Sequence, residues 1–385
     1  MEFDYLIVGA GFAGMTFAER VANLFGQTSL IVEKRGHLGG NAYDRYDEHA
    51  VLIHQYGPHY FRTNSPKIKQ YLSRFTEWHP VNYRILSFSD KKYWNFPINL
   101  NTFEQLVGRP STSKEMESWL ESRRENIPSP KNSEEVIISQ VGWELYDKFF
   151  KGYTLKQWKR HPRDLDASVC GRIPIRTNRD DRYLREDFQA LPKAGYTRLF
   201  ENMLGACGNK VNVLLNTDYA DVLGSVHFHQ LIYTGPIDSF YEYRFGELPY
   251  RSLRFEPQSF TPEKLVERRA ISGKEGFWQP AMQVNYPNDE DFTRIVEIKH
   301  ATGQNCSNTT IVREYPEEYL PGKEPFYPIP SLESAKIYSQ YKALAEKDAR
   351  KVHFIGRLAT YRYYNMDQVV GMALEKAAQL PKKQC

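Results

Sequence analysis

Two groups of residues in this sequence have types and spacings that could do chemistry: glycines that bare the backbone, and arginines and tyrosines that could grip an anion. Gly9, Gly11 and Gly14 form GxGxxG directly after an apolar run. The first glycine permits a tight turn, the second lets the backbone approach a pyrophosphate, and the third lets a helix pack closely on a strand. About 20 residues further on, Glu33 ends a second apolar run, where a carboxylate can accept hydrogen bonds from a ribose diol. A glycine turn with a solvated glutamate is the plainer alternative, and the strand, turn, helix and strand context weighs against it.

The second group lies in the middle of the chain. Phe149, Tyr153 and Trp158 precede Arg172 and Arg176, and then come Asp180, Asp181, Arg182 and Tyr183. Aromatic faces can stack a base, while guanidinium groups and phenol hydroxyls can bind a diphosphate. Core aromatics beside surface ion pairs are an equally weighted reading of the same residues. Near the C-terminus, Gly356 and Arg357 follow a strand-like run and lead through Tyr361, Arg362, Tyr363, Tyr364 and Asn365 into a helical pattern. A helix N-terminus beside an arginine suits an anionic group. His54 and His59 flank a Gly57-Pro58 turn, but no third ligand accompanies them, so no metal site is expected.

The elements that must position these groups follow from periodicity. Residues 3–8 and 30–32 read as buried strands, and Phe17, Ala18, Val21, Ala22 and Phe25 at helical spacing lie between them, as a parallel βαβ unit requires. Residues 100–150 are charged, poor in β-branched residues and helix-like, with a loop at 128–130. Strands are expected at 211–215, 231–233 and across 250–320, with turns at 287–288 and 302–303. The C-terminal part reads as a strand at 352–355 and a helix at 367–378. The expected fold class is α/β: a Rossmann-like dinucleotide-binding domain with an inserted helical domain and an antiparallel sheet domain. Its discontinuous parts are 1–90 with 195–245 and 335–385 for cofactor binding, 91–150 for the helical insertion with a mobile lid to about 180, and 151–194 with 246–334 for substrate.

Composition limits the partners. The chain has 51 Lys+Arg against 47 Asp+Glu, a net charge of +4, too small to hold DNA or a membrane surface by a global field. Cys170, Cys207, Cys306 and Cys385 have no CxxC spacing, which fits a reducing compartment. No stretch approaches ~20 apolar residues, so no membrane insertion is expected and the expected compartment is the cytoplasm.

After Glu33 come Lys34 and Arg35, then Gly39, Gly40 and Asn41. This resembles the extended fingerprint of the FAD-containing glutathione-reductase-like superfamily, in which a GG pair lies near the cofactor phosphates. The combination GAGFAG, GGNAYD, YGPH, GYTLKQW, DDRY, VREY and GRLATYRYYNMD is similar to the bacterial UDP-galactopyranose mutase family, collinearly from residue 9 to residue 367. The resemblance implies FAD that is active when reduced, and interconversion of UDP-galactopyranose and UDP-galactofuranose through an adduct of the sugar on flavin N5. It implies a role in galactofuranose supply for cell-surface polysaccharide, and a homo-oligomer, dimer or higher. Arg172 and Arg294 match the family's diphosphate arginines, Tyr183, Tyr327 and Tyr363 its phosphate-binding tyrosines, and Phe149, Tyr153 and Trp158 its uridine and lid region. His59 matches a histidine near the flavin and Arg357 an arginine on the cofactor phosphates. Phe12, Ala13, Lys34, Asn41, Gly356, Tyr363 and Met366 join Gly9, Gly11, Gly14, Glu33, Gly39 and Gly40 as cofactor contacts, and Asn365 is assigned to the substrate.

Two departures stand out. The family commonly reads YGPHIFHT where this chain has Tyr60 and Arg62, and many members have an aspartate where this chain has Asn365. These changes leave the sugar open between galactose and a 2-acetamido, deoxy or pentose analogue. A flavin amine oxidase-like oxidoreductase and a catalytically silent nucleotide-sugar sensor are the competing readings. The first has no use for paired arginines and tyrosines, and the second would bind without isomerising.

Overall fold

The two apolar runs at the N-terminus become central strands of a five-stranded parallel sheet. In the computed structural model, which describes residues 2–320, 322–348 and 350–380, its order is Val211–Leu214, Ser29–Val32, Glu2–Val8, His227–Tyr233 and Val352–Phe354. Cys385 lies outside the described residues. Parallel sheets are covered on both faces, so their strands are apolar without alternation. Here Tyr5, Ile7, Ile31 and Ile232 pack on one face against Phe17, Val21, Phe200 and Ala373. Leu6, Leu30, Val32 and Leu231 pack on the other. The helix Phe12–Phe25 starts at Gly11 with no side-chain cap and packs against the C-terminal helix Met366–Gln379, so its first N–H groups face the ends of the strands.

A second sheet has seven strands, in the order Tyr327–Pro328, Tyr250–Phe260, Thr309–Glu318, Arg294–Val296, Gln283–Asn285, Ile85–Ser89 and Lys92–Phe96. It is antiparallel except where Gln283–Asn285 runs parallel to Ile85–Ser89. The strands within 85–96 therefore belong with this sheet, whereas the sequence reading divides them between the cofactor domain and the helical insertion. The stretch 250–320 is also less uniform than its composition suggests, because short helices at Pro262–Leu265, Arg269–Ser272 and Lys299–Thr302 interrupt it.

Helices fill the insertion: Leu100–Val107, Ser113–Glu121, Ser133–Tyr146 and Gly152–Trp158, the last reached through a widened π-helical turn at Asp147–Lys151. Their core holds Ile137, Val141, Tyr146, Phe149 and Phe150. A three-stranded sheet of Phe61–Thr63, Phe188–Pro192 and Trp78–Pro80 lies beside these parts. No helix among the described residues is long and apolar enough to cross a membrane.

Asp44, at the end of the GGNAYD motif, ties the second glycine turn to the helix Tyr196–Gly205. Its carboxylate accepts from the backbone N–H groups of Tyr196 at 2.6 Å and Thr197 at 2.8 Å. Burial pushes this carboxyl above its ordinary range, while those same N–H groups hold it back. Asp44→Ala strands one buried and one half-buried backbone donor and is expected to cost about 1–3 kcal/mol in chemical denaturation.

Candidate active site

The chemistry-bearing residues gather where the parallel strands end, as the topology of open α/β sheets leads one to expect. Gly9 follows the first strand with φ 101°, and a Cβ there would collide with the hydroxyl of Thr234 at the end of the strand His227–Tyr233. A Cβ on Gly14 would strike the carbonyl of Gly9, and one on Gly40 would come within 3.1 Å of the Gly11 Cα. The two glycine turns thus face each other as bare backbone beside a helix N-terminus, a cradle suited to a pyrophosphate. Glu33 closes one side: its carboxylate is 6% exposed and accepts from the backbone N–H groups of Ala10 at 2.9 Å and Arg35 at 3.0 Å.

Other expected cofactor residues spend their side chains more locally. Lys34 pairs with Glu324 at 2.7 Å, and Asn41 accepts from Arg35 at 3.0 Å. Phe12 is buried edge-on against Phe200, and Ala13 packs beneath Gly356. Met366 opens the C-terminal helix and packs on the main core. Arg357 makes the most contacts of these within the protein. Its guanidinium donates to the carbonyl of Tyr364 at 2.6 and 3.1 Å and to that of Phe326, and lies 5.4 Å from the Tyr327 ring centre and 5.2 Å from that of Tyr363. Its contacts are thus with the tyrosine pair, because the turn after Gly356 folds back on itself.

Arg62, Trp158, Arg172, Tyr183, Tyr363 and Asn365 line a cavity of about 360 Å³. Arg172 follows the short helix Ser168–Gly171 and stands 4.9 Å over the Tyr363 ring, which stacks on Tyr327 at 5.4 Å. Arg294 begins the strand Arg294–Val296 and donates to one oxygen of Glu314, directly opposite on Thr309–Glu318, at 2.6 and 2.9 Å. Against the cost of burial, Glu314 and then Tyr153, Tyr327 and Tyr60 keep Arg294 firmly charged. The other oxygen of Glu314 is buried without a hydrogen-bond partner among the described residues.

The net field is positive. Burial alone would raise the Tyr363 phenol, yet Arg172, Arg357 and Arg294 pull it down to about 8. Tyr327, whose burial is opposed less strongly, is pushed up to about 12. His59 is held neutral, at about 3, by burial, by His54 and by the positive charge of Arg357 and Arg294. Its Nδ1 lies 2.9 Å from the Gly57 carbonyl and so carries the proton, which leaves Nε2 as an acceptor.

The structure therefore brings together Arg172, Arg294, Tyr153, Tyr183, Tyr327, Tyr363, Trp158 and His59. It does not bring in Phe149, which is 3% exposed and packs on Trp94 and Phe96 in the helical core. Asp180 and Arg182 pair with each other, and Asp181 pairs with Arg84, so for them the surface ion-pair reading holds. Asn365 lines the cavity and accepts from Arg62 at 3.1 Å, while Arg62 also pairs with Glu186 at 2.9 Å. Sequence reasoning gave no role to Glu314 or Glu186. The VREY motif was the only signal for Glu314, since its partner is set by strand register.

Comparison with known proteins decides the family. The sequence profile of UDP-galactopyranose mutase matches residues 148–363, a span that holds both arginines and all four tyrosines of the cluster. The chain belongs to the UDP-galactopyranose mutase family. The profile of an NAD(P)-binding Rossmann-like domain matches residues 7–75. A probable UDP-galactopyranose mutase of Klebsiella pneumoniae is 34% identical over 378 residues, covering 97% of this chain and 94% of that one. A dTDP-fucopyranose mutase of Escherichia coli is 32% identical, covering 97% of each. A crystal structure of reduced UDP-galactopyranose mutase superimposes with TM-score 0.73 over 97% of this chain and 94% of that one at 17% identity. A redesigned putrescine oxidase reaches 0.61 over 98% of each at 14% identity, which shows the shared fold alone.

The displaced phenol of this mutase-family site gives a direct optical test. Ultraviolet titration of the protein is expected to show one tyrosinate forming near pH 8 that is missing in Tyr363→Phe. A wild-type titration without any phenolate below the ordinary tyrosine range would show that the three guanidinium groups do not act on this ring.

Proposed function

We propose that this chain is an FAD-dependent isomerase that interconverts UDP-galactopyranose and UDP-galactofuranose, or a close analogue of that pair. The observation that carries the reading is the convergence of Arg172 and Arg294 with Tyr153, Tyr183, Tyr327 and Tyr363 beside a glycine cradle. An oxidase has no evident use for such a cluster.

The cradle fits FAD: Gly9, Gly11, Gly14, Gly39 and Gly40 give bare backbone for the pyrophosphate, and Glu33 stands at the position for a ribose. Reduced FAD, when bound, supplies the nucleophile for the anomeric carbon. Everything else falls to the side chains. Arg172 and Arg294 neutralise the diphosphate as it departs and hold it for recapture, since a leaving group that drifts away ends the isomerisation. The hydroxyls of Tyr183, Tyr327 and Tyr363 donate to phosphate oxygens, and Tyr153 and Trp158 offer flat faces to the base. His59 presents an uncharged acceptor at Nε2, so it adds no positive charge beside the flavin. Glu314 orients Arg294. Arg62 and Asn365, where this chain departs from the family pattern, form the rim of the cavity together with Glu186, and this rim is where the choice of sugar is made. A mobile lid region reaching from the helical insertion to about residue 180, a homo-oligomer and a cytoplasmic location complete the proposal.

The test is to reduce the purified flavoprotein with dithionite and incubate it with UDP-galactose, UDP-2-acetamido, deoxy and pentose analogues in both ring forms, followed by chromatography. Ring isomerisation without net oxidation is the expected result. Turnover by oxidised enzyme of an amine or other oxidisable substrate, or no isomerisation of any sugar, would sink the reading. Arg172→Ala and Arg294→Ala are each expected to lower kcat/KM by roughly 10²–10³, measured with the reduced enzyme.

A further inference from the structure

Lys156 makes contacts that neither the cofactor cradle nor the diphosphate cluster explains. It lies on the helix Gly152–Trp158, three residues after Tyr153 and so on the same helical face. Its ammonium donates to three backbone carbonyls of a single hairpin turn: Tyr286, Glu290 at 2.8 Å and Phe292 at 3.0 Å. That turn joins the strands Gln283–Asn285 and Arg294–Val296, and it is closed by the Tyr286 N–H donating to the Thr293 carbonyl at 2.8 Å. The last residue of the turn to be held is therefore two positions before Arg294.

Independent contacts fix the same pair of elements. Gly152 lies so close to the turn that a Cβ would collide with the Pro287 carbonyl and the Asn288 side chain. Asn288 donates to the carbonyl of Lys148 at 3.3 Å and to Ser89 at 3.3 Å. Burial draws the ammonium down to about 8, while Glu290, Asp289 and Asp291 oppose that fall and Lys159 adds to it. At neutral pH it stays mostly charged, with all three donors in use. Tyr153 and Arg294 face this junction from its two sides, close enough that each acts on the charge of the other.

We propose that Lys156 is a positioning residue: by knotting the 286–292 turn to the helix Gly152–Trp158, it sets the distance between Tyr153 and Arg294 and thereby the grip on the nucleoside diphosphate. This rests on the reading of the site as one that binds a UDP-sugar. The ammonium touches neither substrate nor cofactor in this scheme. Its effect falls on binding before it falls on the bond-making step, because the two groups it aligns hold the diphosphate and the nucleoside.

The experiment compares wild type, Lys156→Met and Lys156→Arg as holoenzymes, by calorimetric titration with UDP, by kcat and KM, by flavin content and by melting temperature. Methionine keeps the length and loses all three donors. It is expected to raise the UDP Kd and the KM by about tenfold, to change kcat by less than about threefold, and to leave flavin content unaltered. Arginine keeps the charge but spreads its donors in a plane, so it should fall between the other two. Met-variant UDP affinity within about twofold of wild type overturns the proposal, as does a lowered melting temperature with binding intact. If the methionine variant does not fold, the arginine variant decides, and an unchanged UDP Kd there overturns the proposal. Wild-type protein that binds no UDP overturns the substrate reading itself, an outcome distinct from wild type and variant binding equally well.

Discussion

Three guanidinium groups, those of Arg172, Arg294 and Arg357, lie around two stacked tyrosines with one carboxylate, Glu314, in direct contact with one of them. A cluster of like charges held by protein is costly unless it is compensated. The compensation here is incomplete by construction, and its effect reaches the neighbours, which explains why the Tyr363 phenol becomes more acidic and the half-buried His59 imidazole stays uncharged. In the function proposed above, a dianionic diphosphate completes the balance. The arginines can be held in this way because each is delivered by a different element: a short helix, a sheet strand, and a turn at the end of a parallel strand.

That arrangement also explains why the chain needs two sheets. The parallel sheet ends in bare glycine turns and can present backbone donors, but its central strands Glu2–Val8 and Ser29–Val32 are largely apolar on both faces. The antiparallel sheet can alternate, so Arg294 and Glu314 sit opposite each other while Ile295 and Ile311 go into a hydrophobic cluster. The helical insertion supplies Tyr153 and Trp158 from above a core that it makes largely by itself.

The parts of this design that were legible in the sequence are those determined by local constraint. The glycine turns, the acidic end of the second strand and the C-terminal strand and helix each follow from a few adjacent residues, and the collinear motifs tie them to a family. The arginine and tyrosine cluster was legible through that resemblance, since its members are scattered from Tyr153 to Tyr363. What sequence could not resolve was decided by packing or register. Phe149 and Tyr153 are one helical turn apart, yet the widened turn at Asp147–Lys151 sends Phe149 into the helical core and Tyr153 toward Arg294. Arg357 reads from its neighbours as a phosphate ligand, and only the fold of its turn reveals that it also holds the Tyr364 carbonyl. Glu314 and Lys156 act on residues 20 and about 130 positions away, a pairing no local pattern encodes.

The one parallel pairing in the seven-stranded sheet, Gln283–Asn285 beside Ile85–Ser89, has a consequence for how the molecule comes into being. The helical insertion can build its core from neighbours in the chain, but this seam joins segments separated by about half the protein. Loop closure of that kind is entropically slow and waits until both segments exist. During synthesis the strand Ile85–Ser89 must therefore leave the ribosome with one edge unsatisfied until residue 285 arrives. The strand that carries Arg294 thus completes its sheet late in synthesis, and nascent chains shorter than that point are expected to be clients for chaperones.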